Sequence, residues 1–175
     1  MLECLNTQSL LPLSINLLKT HLRLDHGQDD LLLESLIQTA AQWVELYLGQ
    51  TLVKKTYKET FKCNENLREV VLSKGPLLSI ESVKATDKTT IFDLRSYDLV
   101  KKNGFTKLLF KKSVDQLVVF YEVGMALSSG ELPAVIKHAL LLLAAEFYEK
   151  GSCMEFSKTH PVLVLLKPFE SKRLF

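Results

Sequence analysis

The segment from Asp29 to Gly49 restricts the possible folds more than any other part of the chain. Its apolar residues recur at steps of three and four, which is typical of an amphipathic helix with one buried stripe. The stripe contains Leu33, Leu36, Ile37, Ala40, Val44, Tyr47 and Leu48. Asp29 and Asp30 stand where a helix start favours side-chain acceptors and negative charge, and Gly49 supplies a left-handed residue at the end. We therefore predict a helix over 29–48.

Two other segments have helical periodicity. The apolar spacing in residues 14–22 predicts a short helix with Ser14 as its cap. Residues 132–150 predict a longer one, with Pro133 in the first turn, where a missing N–H costs nothing. This second helix is apolar nearly all round, so we expect it to be buried on more than one side and to pack against the 29–48 helix.

Between 51 and 123 the pattern changes to alternation. Val53, Tyr57 and Phe61 alternate with lysines, which predicts a strand with one face in solvent. Further strands are predicted at 69–72, 79–86, 96–100, 107–110 and 117–123. The Asn103–Gly104 pair between two apolar runs is the strongest hairpin signal.

The order of these elements predicts an α+β fold with an antiparallel sheet. We expect a mostly helical core made by the long N-terminal and C-terminal helices, a sheet or hairpin inserted between them, and an extended C-terminal tail. Residues 1–151 are predicted to form one domain. Residues 152–175 are predicted to form an arm or short helix that docks on a partner, so that a chain cut after Gly151 would still fold.

Several kinds of chemistry lack a sequence signal. The four histidines and three cysteines have no zinc-site or disulfide spacing, and no nucleophile elbow or phosphate loop is present. We therefore predict that the protein is not an enzyme and has no cofactor-binding or metal site. No basic-then-apolar signal peptide opens the chain, and no apolar run approaches the roughly 20 residues that cross a bilayer. Synthesis in a reducing cytoplasm without a membrane role is expected.

The charge distribution suggests contacts between copies of the chain. Residues 54–112 carry 14 Lys and Arg against 7 Asp and Glu, whereas residues 29–48 carry only acidic charge. A hydrophobic fraction of 47% and a mean hydropathy of +0.10 favour an oligomer with covered apolar surface. Copies could attract one another head to tail, although solvated charged faces explain the same pattern.

Two segments have open interpretations. The stretch from Lys101 to Lys112 contains Phe105 and Phe110, as in surfaces that bind nucleic acid, but a hairpin makes these aromatics core residues more readily. The apolar residues after Gly151 either dock on a partner or fold back on their own domain.

Motifs in a shared order carry a family resemblance. The chain reads K-x-H-L-R-L-D from Lys19, D-D-x-L-L-x-x-L-I-x-x-A from Asp29 and E-L-Y-L-G-Q-T-L from Glu45. It continues with K-G-P-L at 74–77, V-V-F-Y-E-V-G at 118–124, L-P-x-x-I-K-H-A at 132–139 and P-V-x-x-L-L-x-P-F at 161–169. Together these resemble the head-tail connector, or adaptor, proteins of long-tailed bacteriophages and related gene transfer agents.

The resemblance implies a structural virion protein made in the bacterial cytoplasm. Such proteins form a ring of about 12 copies beneath the portal, join the capsid to the tail and continue the DNA channel without specific DNA recognition. The implied partners are other copies, the portal, and a stopper or tail-terminator protein. The C-terminal element typically reaches the portal.

Three sets of site residues follow. The portal-docking set is Val162, Leu163, Leu165, Leu166, Phe169, Lys172 and Arg173. The inter-subunit set is Arg23, Asp25, Asp29, Asp30, Glu34 and Glu45. The DNA-channel set is Lys101, Lys102, Lys107, Lys111 and Lys112. Two other functions stay open: a small cytoplasmic protein-interaction module, and a weak non-specific DNA-contacting protein that uses the Lys101–Lys112 hairpin.

Overall fold

The computed structural model describes residues 1–5, 11–87, 90–93, 97–102, 105–151 and 159–170. Within them the side chains of 63–67, 86–93, 102 and 111–115 are outside the description. The chain divides into two compact units. The sheet unit is formed by the described residues of 1–9 and 54–125, and the helical unit by those of 10–53 and 126–171.

The helical unit is organised around one central helix. Its α-helices are α1 (Ile15–Leu22), α2 (Asp30–Leu48), α3 (Ala134–Lys150) and α4 (Pro161–Leu166), with 3-10 turns at Ser129–Glu131 and Lys167–Phe169. Helix α3 packs against α1, α2 and α4. Its buried residues are Ile136, Ala139, Leu140, Leu141, Leu143, Ala144 and Ala145. The all-round apolar pattern of α3 thus reflects neighbours on several sides.

Helix α2 buries the stripe that its sequence predicts. Leu33, Ile37, Ala40, Val44 and Leu48 are buried, and Leu36 and Tyr47 are half-buried. Gly49 ends the helix in the left-handed region at φ 66°, where its backbone N–H donates to the carbonyl oxygen of Glu45.

The sheet unit contains one antiparallel sheet. Its strands are β1 (Leu2–Cys4), β2 (Lys55–Val71), β3 (Leu77–Asp87), β4 (Thr90–Asp93), β5 (Tyr97–Lys102) and β6 (Phe105–Val123). The order is β1-β2-β6-β3-β4, and β5 also pairs with β6. Strand β6 is therefore the centre: β2 runs along one side, while β5 and β3 share the other.

Strands β2 and β6 are each longer than predicted. The predicted strand at 69–72 belongs largely to the end of β2, and those at 107–110 and 117–123 are two parts of β6. Register shifts interrupt the β2–β6 pairing between Lys62 and Glu69. Odd-numbered residues such as Leu117 and Val119 are buried in the second part of β6, but even-numbered ones, such as Leu108, in the first. A bulge changes the phase of alternation, so one strand has the sequence pattern of two.

The expected mostly helical core is wrong. The sheet unit has a core of its own, and among the described residues the six strands hold more of the chain than the four α-helices. Its buried members are Tyr57, Val70, Leu72, Leu77, Val83, Ala85, Leu108, Phe110, Leu117, Val119, Tyr121 and Val123. The sheet is also not a plain insertion between helices, because β1 comes before α1 and pairs with β2. The fold is α+β with a substantial sheet.

In the part of the chain that the structure describes, no helix combines the length and the apolarity needed to cross a membrane.

Candidate assembly surfaces

The C-terminal segment is held against α3 by apolar packing and by one histidine. Val162 and Leu166, four residues apart on the same face of α4, are 1% and 0% exposed. His160 precedes the helix, and its Nδ1 accepts a hydrogen bond from the backbone N–H of Val162 at 3.3 Å. Its Nε2 lies 3.0 Å from Oε2 of Glu146 on α3. The segment therefore folds back on its own unit.

Glu146 joins the end of α3 to this segment. Its Oε1 lies 2.8 Å from Nζ of Lys150, one helical turn away, and its Oε2 contacts His160. The hydrogen bond from Lys150 is the main reason why the pKa of Glu146 lies below its ordinary value, and the nearby His160 lowers it further. The carboxylate is thus stabilised in its charged form.

We expect replacement of Glu146 by Gln to destabilise the helical unit by on the order of 1 kcal/mol at neutral pH, because the amide cannot pair with Lys150. The folded-state pKa of Glu146 lies below its unfolded value. Its contribution is therefore complete above the unfolded pKa and is lost as the pH falls through the folded pKa. Urea unfolding followed by Trp43 fluorescence should show the two proteins converging in acid.

Glu149→Gln is the matched control, since Glu149 is exposed on the same helix. It should leave the acid dependence unchanged. A constant difference between wild type and Glu146→Gln from neutral pH to about pH 3 would contradict the assignment.

The structure separates the predicted portal-docking residues by burial. Val162 and Leu166 belong to the core, which corrects their assignment as docking residues: a helix of this register turns one face to α3. Three others are half-buried: Leu163, Leu165 and Phe169. Lys172 and Arg173 lie outside the described residues. Val164, absent from the predicted set, is 60% exposed and is the residue that helical spacing places on the opposite face.

The start of α2 uses its two aspartates for long-range contacts. Asp29 is the N-cap residue, yet among the described residues its carboxylate makes no cap hydrogen bond. It accepts instead from the hydroxyl of Tyr148 on α3 at 2.9 Å, and this bond raises the pKa of Tyr148. Asp30 forms an ion pair of 2.9 Å with Lys19 on α1. The predicted helix start at Asp29 and the acidic first turn are confirmed, but the Asp29 side chain does not make the capping hydrogen bond that was expected of it.

The other predicted inter-subunit residues differ in how free they are to meet a partner. Arg23 and Asp25 are exposed after α1, and Arg23 takes the left-handed conformation at φ 59° that ends the helix. Glu34 is half-buried. Glu45 accepts a hydrogen bond from the backbone N–H of Leu52 at 2.9 Å. Asp29, Asp30 and Glu45 thus have partners within the protomer. Of the other three, Arg23 and Asp25 are exposed and Glu34 is half-buried.

Two of the predicted DNA-channel lysines have described side chains. Lys107 forms an ion pair of 2.5 Å with Glu69 on the neighbouring strand. Lys101 is exposed, and its ammonium donates to the carbonyl oxygen of Leu77 at 3.4 Å. The side chains of Lys102, Lys111 and Lys112 lie outside the described part. Phe110 is a core residue, as the hairpin interpretation predicted, and Phe105 is half-buried.

The solvent-facing side of the sheet carries further lysines. Lys54 pairs with Glu122 at 2.6 Å, and this contact is the main reason why the pKa of Glu122 is lowered. The ammonium of Lys84 lies 5.7 Å from the centre of the Phe120 ring. One of these lysines is thus ion-paired within the protomer, and the other lies over an aromatic ring.

A buried carboxylate inside the sheet unit escaped the sequence prediction. Glu59 on β2 is 4% exposed and accepts hydrogen bonds from the hydroxyl of Tyr121 at 2.7 Å and the backbone N–H of Ser73 at 3.1 Å. The Ser73 hydroxyl also bonds to it. Burial and the nearby Glu59 raise the pKa of Tyr121. The available signal was a charged residue between Tyr57 and Phe61, at an inward position of the alternation.

The described residues contain no cluster of three or more His, Cys, Asp or Glu side chains that could hold a metal ion. The features described above are contact surfaces and buried polar networks.

Comparison with known families places this chain in the class of structural head-tail components. A model described as "Head completion protein" matches residues 13–161, and the chain belongs to that family. This confirms the connector resemblance drawn from the motifs. A comparison with curated proteins finds no match.

Solved structures share the fold over the full chain. Chains from "Neck of empty GTA particle computed with C6 symmetry" and "Virion of native gene transfer agent (GTA) particle" each match with a TM-score of 0.82 at 17% identity. A chain from "Neck of native GTA particle computed with C12 symmetry" matches with a TM-score of 0.79 at 16% identity. Each match covers 100% of this chain and 97% of the other.

Proposed function

We propose that the protein is a head-tail connector that forms a multi-copy ring in the neck of a phage-type or gene transfer agent particle. The observation that carries the proposal is the family match combined with a fold shared over the whole chain with proteins of particle necks. The symmetry named for those necks, C6 and C12, supports a ring of about 12 copies here.

A closed ring requires each copy to use two different faces, one complementary to the other. The acidic helix α2 and the lysine-bearing sheet supply opposite charges for such a head-to-tail contact. We place Arg23, Asp25 and Glu34 at its rim. Asp29 and Asp30 are instead engaged within the protomer, by Tyr148 and Lys19. Charges at a rim steer association more than they add affinity.

The C-terminal segment is proposed to meet the portal through its outer face. Val164, Leu163 and Leu165 present apolar surface there, with Phe169 beyond them and Lys172 and Arg173 following. Each anchor is weak alone, but a ring that meets a ring gains avidity. A stopper or tail-terminator protein would bind the opposite side, and DNA would pass through the ring near the lysines of β5 and β6.

Electron microscopy of purified particles, combined with mass spectrometry of the neck, tests this proposal. We expect a ring of this chain between portal and tail, at about 12 copies per particle. Particles that carry tails but contain none of this chain in the neck would overturn the proposal. Gold labelling of a tagged chain elsewhere on the particle would do the same.

A further inference from the structure

Helix α2 has an exposed stripe without charge. Leu31 and Leu46 are 84% and 77% exposed, and between them Ser35, Thr39 and Gln42 are also exposed. The steps of four, four, three and four place all five on one face of the helix. At 1.5 Å per residue the stripe is about 22 Å long. None of these five residues carries a charge, in a chain with 24% charged residues.

One polar member of the stripe, Thr39, is suited to burial. The hydroxyl of Thr39 donates to the carbonyl oxygen of Ser35 at 2.9 Å, so its proton has a partner inside the helix. Covering it would leave no orphaned hydroxyl donor. Leu31 and Leu46 would supply the apolar surface of such a contact. The lack of charge along the stripe matches the centres of protein interfaces, which are depleted of charged residues.

We infer that this stripe, Leu31–Ser35–Thr39–Gln42–Leu46, is the centre of the contact between α2 and a second copy of the chain, at a face of that copy other than its own α2. The inference rests on the proposed ring, which needs a heterologous contact of this kind. Charge decides which face of the second copy α2 can contact. Asp30 of α2 is paired with Lys19, but Glu34 and Glu45 leave the helix acidic and α2 has no basic residue, so two α2 helices repel. A lysine-bearing face of another copy attracts it.

A photo-activated cross-linking residue placed at position 46 of the full chain, in assembled particles, tests the inference. We expect a dimer of this chain whose cross-linked peptide lies outside 30–48. The same residue at position 127 is the control, since Leu127 is 53% exposed on a loop of the same unit and lies off the stripe. It should give at most a minor dimer product.

Substitution gives an independent measurement. Leu31→Arg and Leu46→Arg should leave the protomer folded and reduce ring incorporation roughly tenfold or more, whereas Leu127→Arg should assemble normally. A ring in the neck with cross-links from position 46 to another protein, to another α2 or to nothing would overturn the inference and leave the proposed function intact. Absence of the ring itself would remove the proposed function and this inference with it.

Discussion

Replacement of Leu166 by Ala is expected to destabilise the helical unit by about 2 to 3 kcal/mol. Leu166 is fully buried although it lies only four residues before the end of the described chain. Its removal leaves a cavity beside α3 that a six-residue helix can fill only in part. Trp43, the single tryptophan, lies in the same unit and is stacked on Tyr47, so its fluorescence during urea unfolding reports this loss.

The matched control is Val164→Ala. Val164 lies on the same short helix but is 60% exposed, so its truncation should change the free energy of unfolding by less than about 0.5 kcal/mol. Equal effects of the two substitutions would contradict the packing of α4 on α3. In that case the whole segment would be free to act as a flexible portal anchor.

This result also bears on truncation. The sequence predicted that residues 152–175 form a separable arm, so that a chain cut after Gly151 keeps its fold. The same cut removes Val162 and Leu166 from the core. We therefore expect such a chain to be less stable, and loss of assembly after truncation would not by itself identify a docking surface.

The helices could be predicted because their signals are local. Helix α2 ends at Gly49 and buries residues three and four apart, and α3 is apolar nearly all round because it has several neighbours. These patterns depend on residues within one or two turns. The hydroxyl of Tyr148 that engages Asp29 lies 119 residues further along the chain. No local rule distinguishes such a carboxylate from a helix cap.

The long strands could not be predicted because a bulge hides their continuity. In β2, Tyr57 and Val70 face the same core although their numbers differ in parity. A pattern of period two cannot continue through such a register shift, and each half resembles a separate strand. The size of the sheet was underestimated for this reason.

The burial of the candidate site residues could not be predicted where it depends on a tertiary partner. Both faces of α4 are apolar, so the sequence alone could not predict that Val162 and Leu166 would pack on α3 while Val164 would be exposed. Glu59 was missed for a related reason. Its partners Tyr121 and Ser73 come from other parts of the sheet unit.

Replacement of Glu59 by Ala is expected to destabilise the sheet unit by on the order of 3 kcal/mol. The substitution leaves the hydroxyl of Tyr121, itself fully buried, without its acceptor, and the exposed Ser73 loses the acceptor of its N–H and hydroxyl. Amide hydrogen exchange in β2 and β6 measures the loss within this unit. Glu81→Ala, at an exposed glutamate of β3, should have little effect.

Tyr121→Phe should cost less than Glu59→Ala, because the carboxylate keeps its bonds to Ser73. The two losses should add to more than the loss in the double variant, since each substitution removes the same hydrogen bond. Full additivity would show that the Tyr121 hydroxyl and Glu59 do not interact in solution.

The pH dependence gives a second, independent check on this cluster. The pKa of Tyr121 is raised in the folded state, mainly by burial and then by its bond to Glu59. Its contribution is therefore complete below the unfolded pKa of about 10 and is lost as the pH rises toward the folded value. Wild type should lose stability above about pH 10 more steeply than Tyr121→Phe. If the stability of both proteins fell equally with pH above about pH 10, the tyrosine hydroxyl would lie in solvent, which would contradict the buried network.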